Sequence, residues 1–194
     1  MTTAATKTDY EFLDEMVQLI DGTHWTKSTL ACPVFKVIKS SSRYGVNKLA
    51  RDADGQPILE KVTYCIVGLV LKVADMEPLW SLRSPEFSRE EMREVRNIAK
   101  AAGKFDEEAL MRHPEFPTRT PPETAEQARR IVVKLQANIP HNPNNSYDVE
   151  RYEASDDPTV AAGRLEGWND HRTTDRAAVR ALVVTTRDQE PHDG

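Results

Sequence analysis

Tyr64-Cys65-Ile66-Val67-Gly68-Leu69-Val70-Leu71 is the one nearly charge-free stretch in a chain where 29% of residues are charged. Its side chains are apolar almost all round, so the segment belongs in an interior whichever backbone it adopts. Periodicity alone does not separate a buried helix from a buried strand here. The run that follows, Ala74-Asp75-Met76-Glu77-Pro78, reads as a helix exit, so the stretch predicts a central helix over about 63–74. Gly68 lies mid-helix, where glycine costs about 1 kcal/mol against alanine. Its presence predicts the close approach of a neighbouring helix.

A central apolar helix needs amphipathic partners, and the chain supplies them. Thr8-Asp9-Tyr10-Glu11 has the pattern of a capping box, in which hydroxyl and carboxylate each satisfy the other residue's backbone amide. Leu13, Met16, Val17 and Ile20 follow at helical spacing, and Gly22 stands where a helix commonly ends. Ser88-Arg89-Glu90-Glu91 is a second box, followed by Met92, Val95, Ile98 and Ala99 and closed by Gly103. Thr120-Pro121-Pro122-Glu123 is a third, followed by Ala128, Ile131, Val132, Leu135 and Ile139. Asp157-Pro158 opens a short helix with Val160, Ala161 and Leu165. A last helix over about 174–186 turns Ala178, Leu182 and Val183 inward.

Between the first helix and the apolar stretch the pattern changes. Val34-Phe35-Lys36-Val37-Ile38-Lys39 favours strand, and Asp52-Ala53-Asp54-Gly55 is a turn between two short apolar runs. The fold class is therefore mainly α: a compact domain of about five helices with a small β-hairpin or flap near residues 34–62. The domain spans 8–187, with insertions at 30–46 and 140–158 and polar tails at 1–7 and 188–194. The loop over 140–158 is long and polar, and such loops often carry function.

Bulk properties narrow the function classes. A net charge of −5 disfavours nonspecific binding to nucleic acid or anionic lipid, both of which need a basic surface. The longest apolar run, Cys65 to Leu71, is far short of the roughly 20 residues that span a bilayer. The start of the chain lacks the apolar stretch of a signal peptide. Two cysteines, Cys32 and Cys65, in a chain of 194 residues fit reduced thiols of a cytoplasmic protein.

No phosphate-cradling glycine loop, nucleophile elbow or zinc spacing is present, so neither a cofactor nor a metal is expected. Cys65, His171 and Asp170 form the candidate catalytic set, as nucleophile, base and orienter of a small hydrolase or transferase. Thiol catalysis needs an accessible cysteine of low pKa, whereas Cys65 lies among isoleucine, valine and leucine, where a thiol behaves as a small hydrophobe. Asn169 and Asp170 read as turn-forming residues, with Asp175 at the start of the last helix. Trp25, Trp80 and Trp168 are candidate partner-binding aromatics, although tryptophans at such positions also pack helix ends. Arg172, Arg176 and Arg180 recur at steps of four and would line one face of the last helix; they are candidates for contact with an acidic partner or, in a third reading, with nucleic acid. Arg129, Arg130 and Lys134 form a second basic cluster.

Three short motifs occur in a set order: Trp25-Thr26-Lys27; Leu49-Ala50-Arg51-Asp52-Ala53-Asp54-Gly55 leading into Tyr64-Cys65-Ile66-Val67-Gly68; and Trp168-Asn169-Asp170 followed by Thr173, Thr174 and Val179. In this the chain resembles a group of small uncharacterised proteins of actinobacteria and their phages, defined only as a domain of unknown function. The resemblance covers about half the chain and carries no activity with it. It implies a phage accessory protein in the cytoplasm of an infected actinobacterium. With no catalytic signature in the residues, the expected function is protein–protein binding, to a host factor or to a second copy of the chain. The 28–61 and 140–158 regions are the expected contact surfaces.

Overall fold

The computed structural model describes residues 7–27, 30–39, 47–76, 80, 82, 87–104, 122–140 and 153–191. Six helices occur among them: α1 (Asp9–Asp21), α2 (Ile66–Val73), α3 (Arg89–Ala101), α4 (Pro122–Ala137), α5 (Pro158–Asp170) and α6 (Arg176–Arg187). Four short strands lie between α1 and α2: β1 (Cys32–Phe35), β2 (Val37–Ile38), β3 (Lys48–Leu49) and β4 (Leu59–Thr63). The mainly α domain with a small β flap is thus the architecture observed.

Helix α2 is the axis of the fold. Every residue in it except Lys72 is buried, and α1, α4 and α5 all pack on it. The most extensive helix pairs are α1 with α6 and α4 with α5, and α6 packs on α1 and α4. Phe12, Leu13, Met16 and Ile20 of α1 meet Val179, Leu182 and Val183 of α6 within one continuous core, which also takes in Ile131, Leu135 and Leu165. Each such buried side chain contributes about 1.5–3 kcal/mol over its exposed state.

The capping boxes at Thr8 and Ser88 form as their spacing predicts. The box at Thr120 falls outside the described residues, as do the insertion residues 40–46 and the loop residues 141–152. Three local expectations are corrected. Helix α2 begins at Ile66 rather than 63, because residues 59–63 pair as β4 and Cys65 is the cap. The neighbour that makes Gly68 necessary is not a helix but the backbone of Leu30: a Cβ on Gly68 would lie 1.7 Å from the Leu30 carbonyl oxygen. Helix α5 runs on through Trp168-Asn169-Asp170, so this motif is a helix end rather than a turn. Gly22 keeps a negative φ, and Thr23 takes the left-handed conformation (φ 62°) that ends α1.

The flap consists of two two-stranded antiparallel sheets. Cys32–Phe35 pairs antiparallel with β4, and the chain then bends at Lys36 so that Val37–Ile38 pairs with β3. Lys36 serves both sides: its N–H donates to Ile58 O and its carbonyl accepts from Ala50. The turn expected at 52–55 is present. Asp52 Oδ1 accepts from the amides of Asp54 and Gln56, and Gly55 adopts φ 77°, the left-handed region that glycine enters at no steric cost.

Candidate functional site

Trp25-Thr26, residues 64–68 and Trp168-Asn169-Asp170 meet at one place, the N-terminal end of α2, while residues 49–55 of the second motif lie in the flap. Trp25 bridges to Tyr64. Thr26 N–H donates to Tyr64 O at 2.8 Å, and Tyr64 N–H donates to His24 O at 2.7 Å. Asn169, at the end of α5, is fully buried. Its Oδ1 accepts from Trp25 Nε1 at 2.8 Å and from the Ile66 amide at 3.3 Å. Its Nδ2 donates to Thr26 O at 3.4 Å and to Asp170 Oδ1 at 3.1 Å. All four hydrogen-bonding positions of one amide side chain are used, as burial requires.

Cys65 belongs to the same junction. It is 3% exposed, and its Sγ accepts the Gly68 amide at 3.4 Å as the cap of α2. The first amides of α2 are thus satisfied from two sources, its own cap and Asn169, leaving fewer unpaired donors at a buried helix end. Burial pushes the Cys65 thiol up to about 12, with the negative charges of Glu166 and Asp170 adding to the shift. Such a thiol keeps its proton at neutral pH, the reverse of what a nucleophile needs.

The structure brings Asp170 near Cys65 but gives His171 other work. His171 Nδ1 lies 2.8 Å from Thr173 Oγ1, and its carbonyl, at the end of α5, accepts from Lys27 Nζ at 2.9 Å. A cation at a helix C-terminus is electrostatically favourable. Asp175 caps α6 by accepting from the Ala178 amide, and Thr174 Oγ1 donates back to Trp168 O. Trp25 and Trp168 are partly buried against the core, and Trp80 is buried.

The basic clusters divide by what they touch. Arg180 is held bidentate by Asp21, with Nε–Oδ1 at 2.7 Å, while Arg172 and Arg176 are exposed. Arg130 and Lys134 both reach Asp9, and Lys134 also reaches Glu190. The Arg130 hydrogen bonds hold Asp9 well below the usual carboxylate range, with Lys134 and Gln127 adding to the effect. These two basic residues therefore tie the start of α1 and the end of α6 to α4. Among the described residues no group of three His, Cys, Asp or Glu side chains is arranged to hold a metal, and no helix is long and apolar enough to cross a membrane.

One surface was not anticipated. Helix α3 buries only Val95 and Ala99. It is fastened to the flap by a bidentate Arg51–Glu94 pair (2.6 and 2.7 Å), by Glu91 Oε1 accepting the Leu49 amide at 2.9 Å, and by a bridge between Asn47 and Phe87. Its outer face carries Arg89, Arg93, Arg96 and Lys100, all exposed. Phe87, Arg89, Glu90, Met92, Arg93 and Arg96 line an open groove of about 750 Å³ along this face. The 4-3-4 spacing of these cations was visible in the sequence. The three glutamates interleaved with them made the segment read as an ordinary solvated helix.

Compared with protein-family models, with curated proteins and with solved structures, the chain has no match.

Proposed function

We propose that this protein is a non-catalytic binding module that engages another protein through the face formed by the flap and α3. The observation that carries the reading is the character of this face. Ile38 is 61% exposed and Leu59 41% exposed on the flap, and both adjoin a segment that α3 clamps through Arg51–Glu94. Exposed apolar side chains on a flap braced by α3 are a feature that protein interfaces use. The proposed setting is an accessory role in an infected actinobacterial cell, with a host protein or a second copy of the chain as partner.

The enzymatic reading is second. It needs Cys65 as a thiolate beside His171, whereas Cys65 Sγ is the cap of α2 and His171 Nδ1 faces Thr173. The nucleic-acid reading needs Arg172, Arg176 and Arg180 together, and Arg180 is already held by Asp21.

The test is affinity capture from actinobacterial lysate with the full chain, with Cys65→Ala and with Ile38→Ser/Leu59→Ser. The reading expects one prey protein, identified by mass spectrometry, to be retained by Cys65→Ala and lost with the flap variant. A prey retained by the flap variant but lost with Cys65→Ala contradicts it. A self-association that the flap variant abolishes would identify the partner as a second copy.

A further inference from the structure

We infer that the groove beside α3 receives an acidic, amphipathic protein segment, with carboxylates at helical spacing opposite Arg89, Arg93 and Arg96. The inference rests on the binding reading above and specifies the chemistry of its partner.

The geometry comes from the helix itself. Residues 89, 93, 96 and 100 fall within an arc of about 60° on a helix of 3.6 residues per turn. They therefore form one line of basic side chains, whose successive Cβ atoms are about 5–6 Å apart. Val95 and Ala99, on the opposite edge, enter the core and fix the rotation of the helix about its axis. Met92 falls between the buried edge and the cationic line, and Phe87 stands at the N-terminal end beside it. Glu91 and Glu94, which could have neutralised the line from within, are turned to the flap and engaged there by the Leu49 amide and Arg51. Arg51 likewise spends its charge on Glu94.

The result is a groove with an apolar floor at Phe87 and Met92 and a cationic wall, in a chain whose net charge is −5. Cations gathered on one face of an acidic protein favour encounter with an acidic partner and raise its association rate. Two classes of polyanion could answer such a wall. Glu90 lies in the groove lining among the arginines. A continuous phosphate backbone would meet this carboxylate, while a peptide can place a lysine or an apolar residue there. The apolar floor also offers nothing to a phosphate but accepts a leucine or phenylalanine. Both features favour a protein segment that alternates acidic and apolar residues.

The experiment selects peptides rather than assuming one. A display library of random peptides of about 14 residues, enough for a helix as long as α3, is selected on the full-length protein. Enriched peptides are synthesised with a fluorescent label. Their binding is measured to the wild type, to Arg89→Glu/Arg93→Glu/Arg96→Glu and to Ile38→Ser/Leu59→Ser. The proposal expects peptides rich in Asp and Glu at 4-3 spacing around an aliphatic or aromatic residue. It also expects at least about tenfold weaker binding to the charge-reversed chain, and an affinity that falls with added salt. Where the charge-reversed chain melts early by circular dichroism, the corresponding triple Gln variant takes its place.

Neutral or basic consensus peptides overturn the proposal. So does equal binding to the charge-reversed chain, an absence of any enriched peptide, or tighter binding of a DNA duplex than of the peptides at the same salt. Peptides that ignore the arginines but are lost on the flap variant overturn this groove while leaving the binding reading standing.

Discussion

The junction at the start of α2 and the outer face of α3 are opposites. At the junction, polar groups are buried and all of Asn169's hydrogen-bonding positions are filled, three by residues more than a hundred positions away and one by its neighbour Asp170. On α3, charged groups stand in water, and the helix is attached mainly through its flap side. Buried polar networks are costly to break because the low-dielectric surroundings leave no substitute partners. Exposed charges are cheap to change because water replaces whatever is lost. Polar side chains therefore serve architecture in one place and stand in solvent in the other. Distinctive motifs such as Trp-Asn-Asp and Cys-x-x-Gly sit in the first region, and the unremarkable arginines sit in the second.

The largest expected effect is at Gly68. Gly68→Ala forces a Cβ to within 1.7 Å of the Leu30 carbonyl oxygen and 2.7 Å of its carbon. Backbone must move, and the gain in helix propensity of about 1 kcal/mol does not offset the displacement. The expected net loss is about 3 kcal/mol, or about 10 °C in Tm by calorimetry. An unchanged Tm would show that Leu30 does not press on α2.

Next comes Asn169→Ala, which strands the Trp25 indole and the Ile66 amide in the interior. The expected cost is about 2–3 kcal/mol in denaturant unfolding. A double-mutant cycle with Trp25→Phe sharpens the point: the two changes should couple by about 1 kcal/mol, because each removes one end of the same hydrogen bond. Strict additivity would mean that the bond adds no stability of its own.

Asp9→Asn should cost less, about 1–2 kcal/mol at neutral pH, since the Arg130 and Lys134 partners remain partly solvated. Its sign with pH is determined. The folded pKa of Asp9 lies below its unfolded value, so its contribution is complete above the unfolded pKa and is lost as pH falls through the folded one. The stability difference between wild type and Asp9→Asn should therefore narrow on acidification below about pH 4. A difference that stayed constant down to pH 2 would assign the effect to packing. The smallest effect belongs to α3: the Arg89→Glu/Arg93→Glu/Arg96→Glu chain should unfold within about 0.5 kcal/mol per substitution of the wild type. A large loss there would move α3 from the second kind of region to the first.

Much of the fold was legible in the residues. Capping boxes at Thr8 and Ser88 and the apolar stripes behind them are local signals, set by hydrogen bonds within one turn and by helical period, and they form as read. The Asp52–Gly55 turn is equally local. What sequence did not reveal was long-range. The partner of Gly68 lies 38 positions away and is a carbonyl, which leaves no trace in side-chain pattern. Asn169 could be singled out, but not as the residue that joins Trp25 to Ile66, because nothing local specifies a contact over more than a hundred residues. The candidate site divides the same way. Cys65 was read correctly as sitting in an apolar environment, while its capping role depends on where β4 ends. The α3 cations were present at regular spacing, and only the engagement of Glu91 and Glu94 by the flap distinguishes them from a self-neutralised helix.

The central claim is that Cys65 caps a helix and that the chemistry of this protein lies at its surface. The most direct measurement is the rate at which a thiol reagent modifies Cys65 in a Cys32→Ser chain, followed across denaturant and pH. The account predicts negligible modification of the native protein, with a rate that rises only as the chain unfolds and matches the unfolding transition seen by circular dichroism. Rapid labelling in native buffer, with a pH midpoint well below the ordinary thiol range that shifts upward in His171→Ala, would contradict it and make Cys65 a nucleophile.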